Sequence, residues 1–117
     1  MRRIDKPWGH EVIWAETGRY VGKLLHIKAG ERLSRQYHRV KEETLLMQAG
    51  EMTLEVGPAG AVDARRMRGG DTFHVAPGTI HRMIAITDVD LVEVSTPELD
   101  DVVRLEDVYG REGTSGA

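Results

Sequence analysis

Turn-forming residues divide this chain at short intervals, and their spacing constrains its fold more than any other feature of the sequence. Glycine, proline and other turn residues cluster at 17–18, 28–31, 57–60, 69–71, 77–78 and 87–88. The segments between these turns have room only for short strands, and helical periodicity appears only weakly, near 98–109. Many short strands separated by such turns predict an all-β sandwich or barrel.

Predicted strands fill most of residues 10 to 96. The clearest is 51–56, where Met52, Leu54 and Val56 alternate with polar residues, as in a strand with one buried face. The predicted strands are 10–15, 19–28, 33–38, 44–49, 51–56, 62–67, 72–76, 80–86 and 89–96. We expect an N-terminal arm over 1–8, and a short helical turn followed by a closing strand over 98–109. A single domain is predicted over 1–111, with a flexible tail over 112–117.

Composition excludes several classes of function. The net charge is −3, so there is no excess of basic residues to neutralise nucleic-acid phosphates. The chain has no cysteine, and therefore any metal would be held by nitrogen and oxygen ligands. No apolar run resembles a signal peptide or a membrane span, so we expect a cytoplasmic protein with no membrane partner.

Ligand-type residues cluster around residues 36 to 43. Gln36 and His38 are two residues apart, so on one strand their side chains share a face. A turn over 40–42 would bring Glu43 back on the next strand, facing them. A fourth ligand is offered by His81, which opens a strand just after the rigid turn at 77–78. Together these residues predict a metal site.

The same residues carry a resemblance to a known family. The patterns Q-x-H-x4-E-x6-G over 36–50 and G-D-x5-P-G-x2-H over 70–81 resemble the two motifs of the cupin superfamily. Glutamine in place of the first histidine is typical of the mannose-6-phosphate isomerase branch. K-P-W-G at 6–9, L-S-x-Q-x-H at 33–38 and V-R-L-E-D-V-Y-G-R at 103–111 resemble the C-terminal isomerase domain of the bifunctional (type II) enzymes.

The resemblance implies a fold, a cofactor and an activity. It implies a double-stranded β-helix, or jelly-roll barrel, with a short C-terminal closing segment. A divalent ion would be bound by Gln36, His38, Glu43 and His81; zinc is the first expectation, with manganese, iron, cobalt and nickel open. Such an ion is a Lewis acid, which suits the interconversion of aldose and ketose sugar phosphates.

Five further residues are candidates for the chemistry. The resemblance implies catalytic roles for Lys41, which stands where the family has an arginine, and for Arg104. This chain also has Thr44 and Leu45 where the family has histidine and tryptophan. Substrate binding is expected from Arg39 and Arg82 as phosphate partners, and from His74 at the mouth of the barrel. Other candidates are His26 at the same mouth and Glu93 as a general base, whereas His10 is expected on the surface.

Two other functions remain open at this stage. His38, Glu43 and His81 alone would form the two-histidine, one-carboxylate set of iron-dependent oxygenases. Alternatively, the chain is a non-catalytic cupin that binds a sugar or another metabolite. A homodimer is also expected, through an outer apolar face formed by Leu24, Leu46, Ile84 and Ile86.

Overall fold

The structure is a computed structural model that describes residues 1–114, and these residues form twelve strands and no helix. Accordingly, no helix within residues 1–114 is long and apolar enough to cross a membrane. The strands are β1 (Arg2–Lys6), β2 (Gly9–Glu16), β3 (Val21–Ile27), β4 (Arg35–Tyr37), β5 (Glu43–Ala49), β6 (Glu51–Val56), β7 (Asp63–Arg68), β8 (Thr72–Val75), β9 (His81–Ala85), β10 (Val89–Ser95), β11 (Val103–Glu106) and β12 (Gly113–Thr114).

The strands form two antiparallel sheets of six strands each. The first sheet has the order β1-β2-β3-β10-β5-β8, and the second has the order β12-β11-β4-β9-β6-β7. Neighbours such as β3 and β10 are far apart in sequence, so the chain passes repeatedly from one sheet to the other. The predicted all-β jelly roll is confirmed.

The core lies between the sheets and changes character along the strands. Strand β10 directs Val89 and Leu91 inward, and its next inward residue is the buried Glu93. Strand β5 shows the same change in reverse, since the buried Glu43 precedes Leu45 and Met47. Alternation with a period of two therefore gives the interior an apolar end and a charged end.

Both ends of the chain depart from the sequence expectations. Residues Arg2–Lys6 form strand β1, which pairs with β2, rather than an unpaired arm. Residues 98–109 contain no helix; their only strand is β11, whose backbone pairs with β4 and with the two-residue strand β12. These backbone hydrogen bonds run between strands, which the local sequence alone does not reveal. The tail expected over 112–117 falls partly outside the described residues.

The apolar outer face expected for a dimer is divided between the two sheets. Leu24 and Leu46 are about 40% exposed on the first sheet, where both lie opposite Val92 of β10 in register. Ile84 belongs to β9 of the second sheet, and Ile86 follows that strand. The four residues therefore do not form one face.

Candidate metal centre

Three buried ligand-type side chains meet at the charged end of the barrel. His38 follows β4, Glu43 begins β5 and His81 begins β9, so both sheets contribute. One ligand atom from each residue lies within 4.8 Å of the others. Glu43 Oε1 is 3.4 Å from His38 Nε2 and 3.5 Å from His81 Nε2.

The hydrogen bonds of the two imidazoles fix which nitrogen faces the carboxylate. His38 Nδ1 donates to the backbone carbonyl of Asp101 at 2.6 Å, and His81 Nδ1 donates to that of Thr79 at 2.9 Å. In the neutral rings each Nε2 therefore carries a lone pair. Both Nε2 atoms are buried without a hydrogen-bond partner among the described residues. Two lone pairs facing one carboxylate repel it unless a proton or a metal ion lies between them, and a divalent metal ion fits these donors.

Gln36 lies beside this triad. It pairs with His81 in the register of β4 and β9, and it lines an interior cavity together with His38 and Glu43. The Ser34 hydroxyl donates to Gln36 Oε1 at 2.5 Å, which holds the amide in one orientation. Gln36 remains a predicted fourth ligand.

Lys41 and Glu93 extend the charged cluster away from the triad. Lys41 Nζ lies 3.2 Å from Glu43 Oε2 and 3.2 Å from Glu93 Oε2. Burial alone would lower the pKa of Lys41, but the carboxylates of Glu93 and Glu43 raise it above its ordinary value. Burial, reinforced by the charge of Glu43, raises the pKa of Glu93. Burial opposes ionisation of Glu43 as well, but the two imidazoles and Lys41 hold its pKa well below its ordinary value. Lys41 is therefore a cation shared by two buried carboxyl groups.

A small cavity, with about 60 Å³ open to the centres of water molecules, opens beside these residues. Trp8, Leu25, Leu33, Met83, Leu99 and Val102 form apolar parts of its wall. Gln36, His38, Lys41, Glu43, Glu93 and Arg104 add polar groups to the lining. Gln36, His38 and Glu43 therefore line the same cavity as both predicted catalytic residues. His81 is not part of this lining, but its Nε2 lies 3.5 Å from Glu43 Oε1.

Three residues predicted to bind substrate lie elsewhere. Arg39 is exposed on the loop between β4 and β5. Arg82 follows the inward-facing His81, so its side chain points to the outer face, where it donates to the backbone carbonyl of Leu33. His74 is also on an outer face, paired with Glu42. The structure thus separates Arg39, Arg82 and His74 from the cavity.

The remaining histidines are also outside the barrel. His26 lies on the outer face of the first sheet and contacts Asp90 through Nδ1 at 2.8 Å. Its ring stacks on that of the half-buried His10, with the centroids 5.3 Å apart. His26 therefore does not point into the barrel mouth.

The cavity also contains charged residues that were not among the predicted site residues. Glu11 and Lys23 are buried on β2 and β3, and Lys6 and Arg111 reach the cavity from the two ends of the chain. A signal for Lys23 exists in the sequence: it occupies the same strand parity as the apolar Val21 and Leu25, and this parity predicts an inward side chain.

Asp101 was also not among the predicted site residues. Besides accepting from His38 through its backbone carbonyl, its carboxylate accepts from the backbone N–H groups of Arg39, Val40 and Lys41 at 3.0, 2.7 and 2.8 Å. One residue of the closing segment thus holds the loop that carries a metal ligand and Lys41.

A double-stranded β-helix with a buried histidine–glutamate–histidine cluster at its interior cavity defines a cupin with a candidate metal site. A model of the Mannose-6-phosphate isomerase C-terminal family matches residues 1–107. The chain belongs to that family.

Two relatives with similar sequences are much longer than this chain. Mannose-1-phosphate guanylyltransferase of Escherichia coli is 33% identical over 115 residues, which cover 94% of this chain. Mannose-1-phosphate guanylyltransferase ManC of Salmonella typhimurium is 30% identical over a segment of the same length. In both cases the chain spans 23% of the relative's length.

Solved structures share the fold at low sequence identity. KdgF from Halomonas sp. has a TM-score of 0.72 at 20% identity, covering 83% of this chain and 88% of that one. The capsular polysaccharide assembling protein CapF from Staphylococcus aureus has a TM-score of 0.75 at 17% identity, covering 90% of this chain and 32% of that one. These likenesses establish the fold.

Proposed function

We propose that this cupin binds a divalent metal ion through His38, Glu43 and His81, with Gln36 as a fourth ligand, and interconverts aldose and ketose sugar phosphates. The observation that carries the proposal is the pair of buried, unpartnered Nε2 atoms facing the carboxylate of Glu43. Membership of the Mannose-6-phosphate isomerase C-terminal family supports the reaction class. Zinc is our first expectation, because it commonly takes four nitrogen and oxygen ligands.

The residues around the triad suit a proton transfer between adjacent carbons. The bound ion would supply Lewis-acid polarisation of the sugar carbonyl. Glu93 is a candidate for the general base, because its buried carboxyl group lines the cavity and contacts Lys41. Lys41 keeps its proton and orients Glu93 relative to Glu43. Arg104 is buried and lines the same cavity, which supports a role for it in contacting the substrate.

Two measurements test this proposal in sequence. Elemental analysis of protein purified without a histidine tag should find close to one divalent ion per chain, and less than about a tenth would remove the metal-dependent function. Mannose 6-phosphate is then incubated with protein loaded with zinc, manganese, cobalt or nickel. Formation of fructose 6-phosphate supports the isomerase, and no turnover with any of these ions contradicts it.

A non-catalytic binding cupin is the second candidate. The observation that favours it is the engagement of Lys41 by two carboxylates, which leaves it less free to contact a substrate than an unpaired cation. A rise in melting temperature with sugar phosphates, without turnover, would identify this function. Oxygen consumption in the presence of iron(II) and candidate substrates would instead indicate the oxygenase that the histidine–glutamate–histidine set also permits.

The homodimer expected from the sequence stays a proposal and now involves one sheet. Leu24, Val92 and Leu46 form a row across the outer face of β3, β10 and β5, next to the 48% exposed Val94. Sedimentation at several protein concentrations tests it, and a monomer at high concentration would contradict it. The cytoplasmic location expected from the sequence likewise stays a prediction.

A further inference from the structure

Imidazole and carboxylate side chains form a row across the outer face of the first sheet. His10 pairs with Asp5 of β1 and with His26 of β3, and His26 pairs with Asp90 of β10. Residues paired in this way on one face of a sheet have neighbouring side chains. The row lies outside the barrel, and the side chain of His26 is 29% exposed, so solvent reaches it, unlike the buried triad.

His26 has hydrogen bonds similar to those of the two triad histidines. Its Nδ1 lies 2.8 Å from Asp90 Oδ1 and donates to it, because an ionised carboxylate can only accept. In the neutral ring Nε2 then carries a lone pair. This atom lies 3.8 Å from Asp88 Oδ2, close to the 3.4 and 3.5 Å that separate the triad imidazoles from Glu43 Oε1. The lone pair and the carboxylate repel each other unless a proton or a metal ion lies between them.

Asp88 is oriented toward His26 by a contact on its other oxygen. Asp88 Oδ1 accepts from the backbone N–H of Ala29 at 2.8 Å, which leaves Oδ2 on the side of His26. Bonds from zinc to imidazole nitrogen or carboxylate oxygen are about 2.0–2.2 Å long, so two of them span up to about 4.2 Å. An ion therefore fits between atoms that are 3.8 Å apart. Both ligand groups also have the outer hydrogen bonds that orient the ligands of metal sites.

His10 is the nearest source of a third ligand. Its ring stacks on that of His26, with the centroids 5.3 Å apart and the planes 23° from parallel. Within residues 1–114 the triad is the one group of three histidine or acidic residues whose ligand atoms already lie within 4.8 Å of one another. His26 and Asp88 are thus a pair of ligands, and the ring of His10 must turn to join them. A shallow surface cavity beside His10, His26 and Asp90 gives it room.

We propose that His26 and Asp88, with His10 as the third ligand, bind a second, exchangeable divalent ion on the outside of the barrel. Zinc, nickel and copper are the expected class, because imidazole ligands favour these ions over magnesium or calcium. The ion would link β2, β3 and the turn between β9 and β10. Desalting into metal-free buffer removes an ion from so open a site, so elemental analysis of desalted protein counts the triad alone. None of the three ligands lines the interior cavity, and the site is independent of the proposed function.

Equilibrium dialysis against a series of free zinc concentrations tests the outer site. It is run at about pH 8, where few protons compete for imidazole nitrogens, on protein that was first loaded with zinc and desalted. At saturation the wild type should bind about one ion more per chain than His26→Ala. His74→Ala is the matched control and should bind as much zinc as the wild type, because His74 also pairs with a carboxylate on an outer face but lies outside this site.

Two further variants test the other ligands. Asp88→Asn keeps an oxygen for the N–H of Ala29 but loses the charge, and it should weaken the binding of the second ion by about tenfold or more. His10→Ala should weaken it by a similar factor, and unchanged affinity in that variant would overturn the role of His10. Circular dichroism and thermal melting check that each variant folds. Asp88→Asn is the decisive variant if His26→Ala does not fold.

Failure of the outer site is distinguishable from failure of the triad. Equal zinc binding by the wild type, His26→Ala and Asp88→Asn would overturn the outer site, because only a proton would then lie between the imidazole and the carboxylate. Loss of one ion in His74→Ala would overturn it as well. One ion in the wild type and none in His26→Ala would support the outer site and contradict metal binding by the triad. Nickel should displace the second zinc ion, and equal displacement by magnesium would overturn the proposed ligand set.

Discussion

The backbone carbonyl of Asp101 accepts a hydrogen bond of 2.6 Å from Nδ1 of His38, sixty-three residues earlier in the chain. The same residue binds three consecutive backbone N–H groups of the loop that follows His38. Asp101 therefore sets both the tautomer of a metal ligand and the path of the loop that carries Lys41. Asp101 is therefore a positioning residue and not one of the predicted metal ligands.

Asp101→Asn should weaken metal binding although Asp101 is not a ligand. The variant removes the charge that holds the loop, so His38 is oriented less firmly. Loss of such an outer contact typically lowers metal affinity by about 10–100-fold. Competition with a chromophoric chelator measures the affinity, with the exposed Asp5→Asn as control. Equal affinities in the two variants would contradict the positioning role.

The stabilising contribution of Asp101 should depend on pH. Its small degree of burial would raise its pKa, but the backbone N–H groups of Lys41, Val40 and Arg39 lower it to about 2, from an ordinary value of 3.8. A lowered pKa stabilises the folded state above the unfolded value and ceases to do so as pH falls toward 2. The melting temperatures of the wild type and Asp101→Asn, measured from pH 7 to pH 2.5, should therefore converge below about pH 4. A constant difference would contradict this assignment.

Replacing either histidine of the triad should abolish metal binding. In His38→Ala and His81→Ala we expect less than about a tenth of an ion per chain by elemental analysis, because only two strong ligands remain. His74→Ala is the control, since its side chain lies on the outer face and pairs with Glu42. Loss of metal in His74→Ala, or its retention in both triad variants, would contradict the site.

Lys41→Met should destabilise the metal-free protein by about 3–5 kcal/mol, because two buried carboxylates lose their shared cation. Urea denaturation gives the free energy of unfolding. The double variant Lys41→Met/Glu93→Gln should recover part of the loss, since one of the two charges is then absent. A single variant as stable as the wild type would show that Lys41 does not compensate these carboxylates.

Gly50→Ala should be more destabilising than Gly60→Ala. Both glycines adopt positive φ, at +89° and +88°, so both substitutions carry a conformational cost of about 1–2 kcal/mol. An added Cβ at Gly50 would lie 2.0 Å from the backbone oxygen of Asp88, whereas at Gly60 it would meet open space. Chemical denaturation of both variants measures the difference. Equal losses would show that the backbone near Asp88 moves away freely.

The strands and the triad could be predicted because both depend on short-range patterns. Alternation with a period of two and glycine-containing turns position the strands, as at 51–56, where prediction and structure coincide. Motif spacing indicates His38, Glu43 and His81, and the structure brings these residues together. Strand β1 was not predicted, because its residues show no alternation of apolar and polar side chains and the strand is defined by its pairing with β2.

Which charged residues line the cavity could not be predicted from the sign of their charge alone. Arg82 and His74 looked suitable for binding a sugar phosphate, yet Arg82 is buried on the outer side of β9 beside Glu106, and His74 is exposed and pairs with Glu42. Glu11, Lys23 and Glu93 occupy the buried parity of their strands, which indicates the inward direction. Which of these charges meet each other depends on how strands distant in sequence pair, and parity does not supply that information.

The cavity is lined by Lys6 and Trp8 near one end of the chain and by Leu99, Val102 and Arg111 near the other. If either segment were undocked, His38, Glu43 and His81 would still be present; undocking of the second segment would remove the carbonyl of Asp101 that orients His38. Metal bound in that open form would be held more weakly than in the closed one.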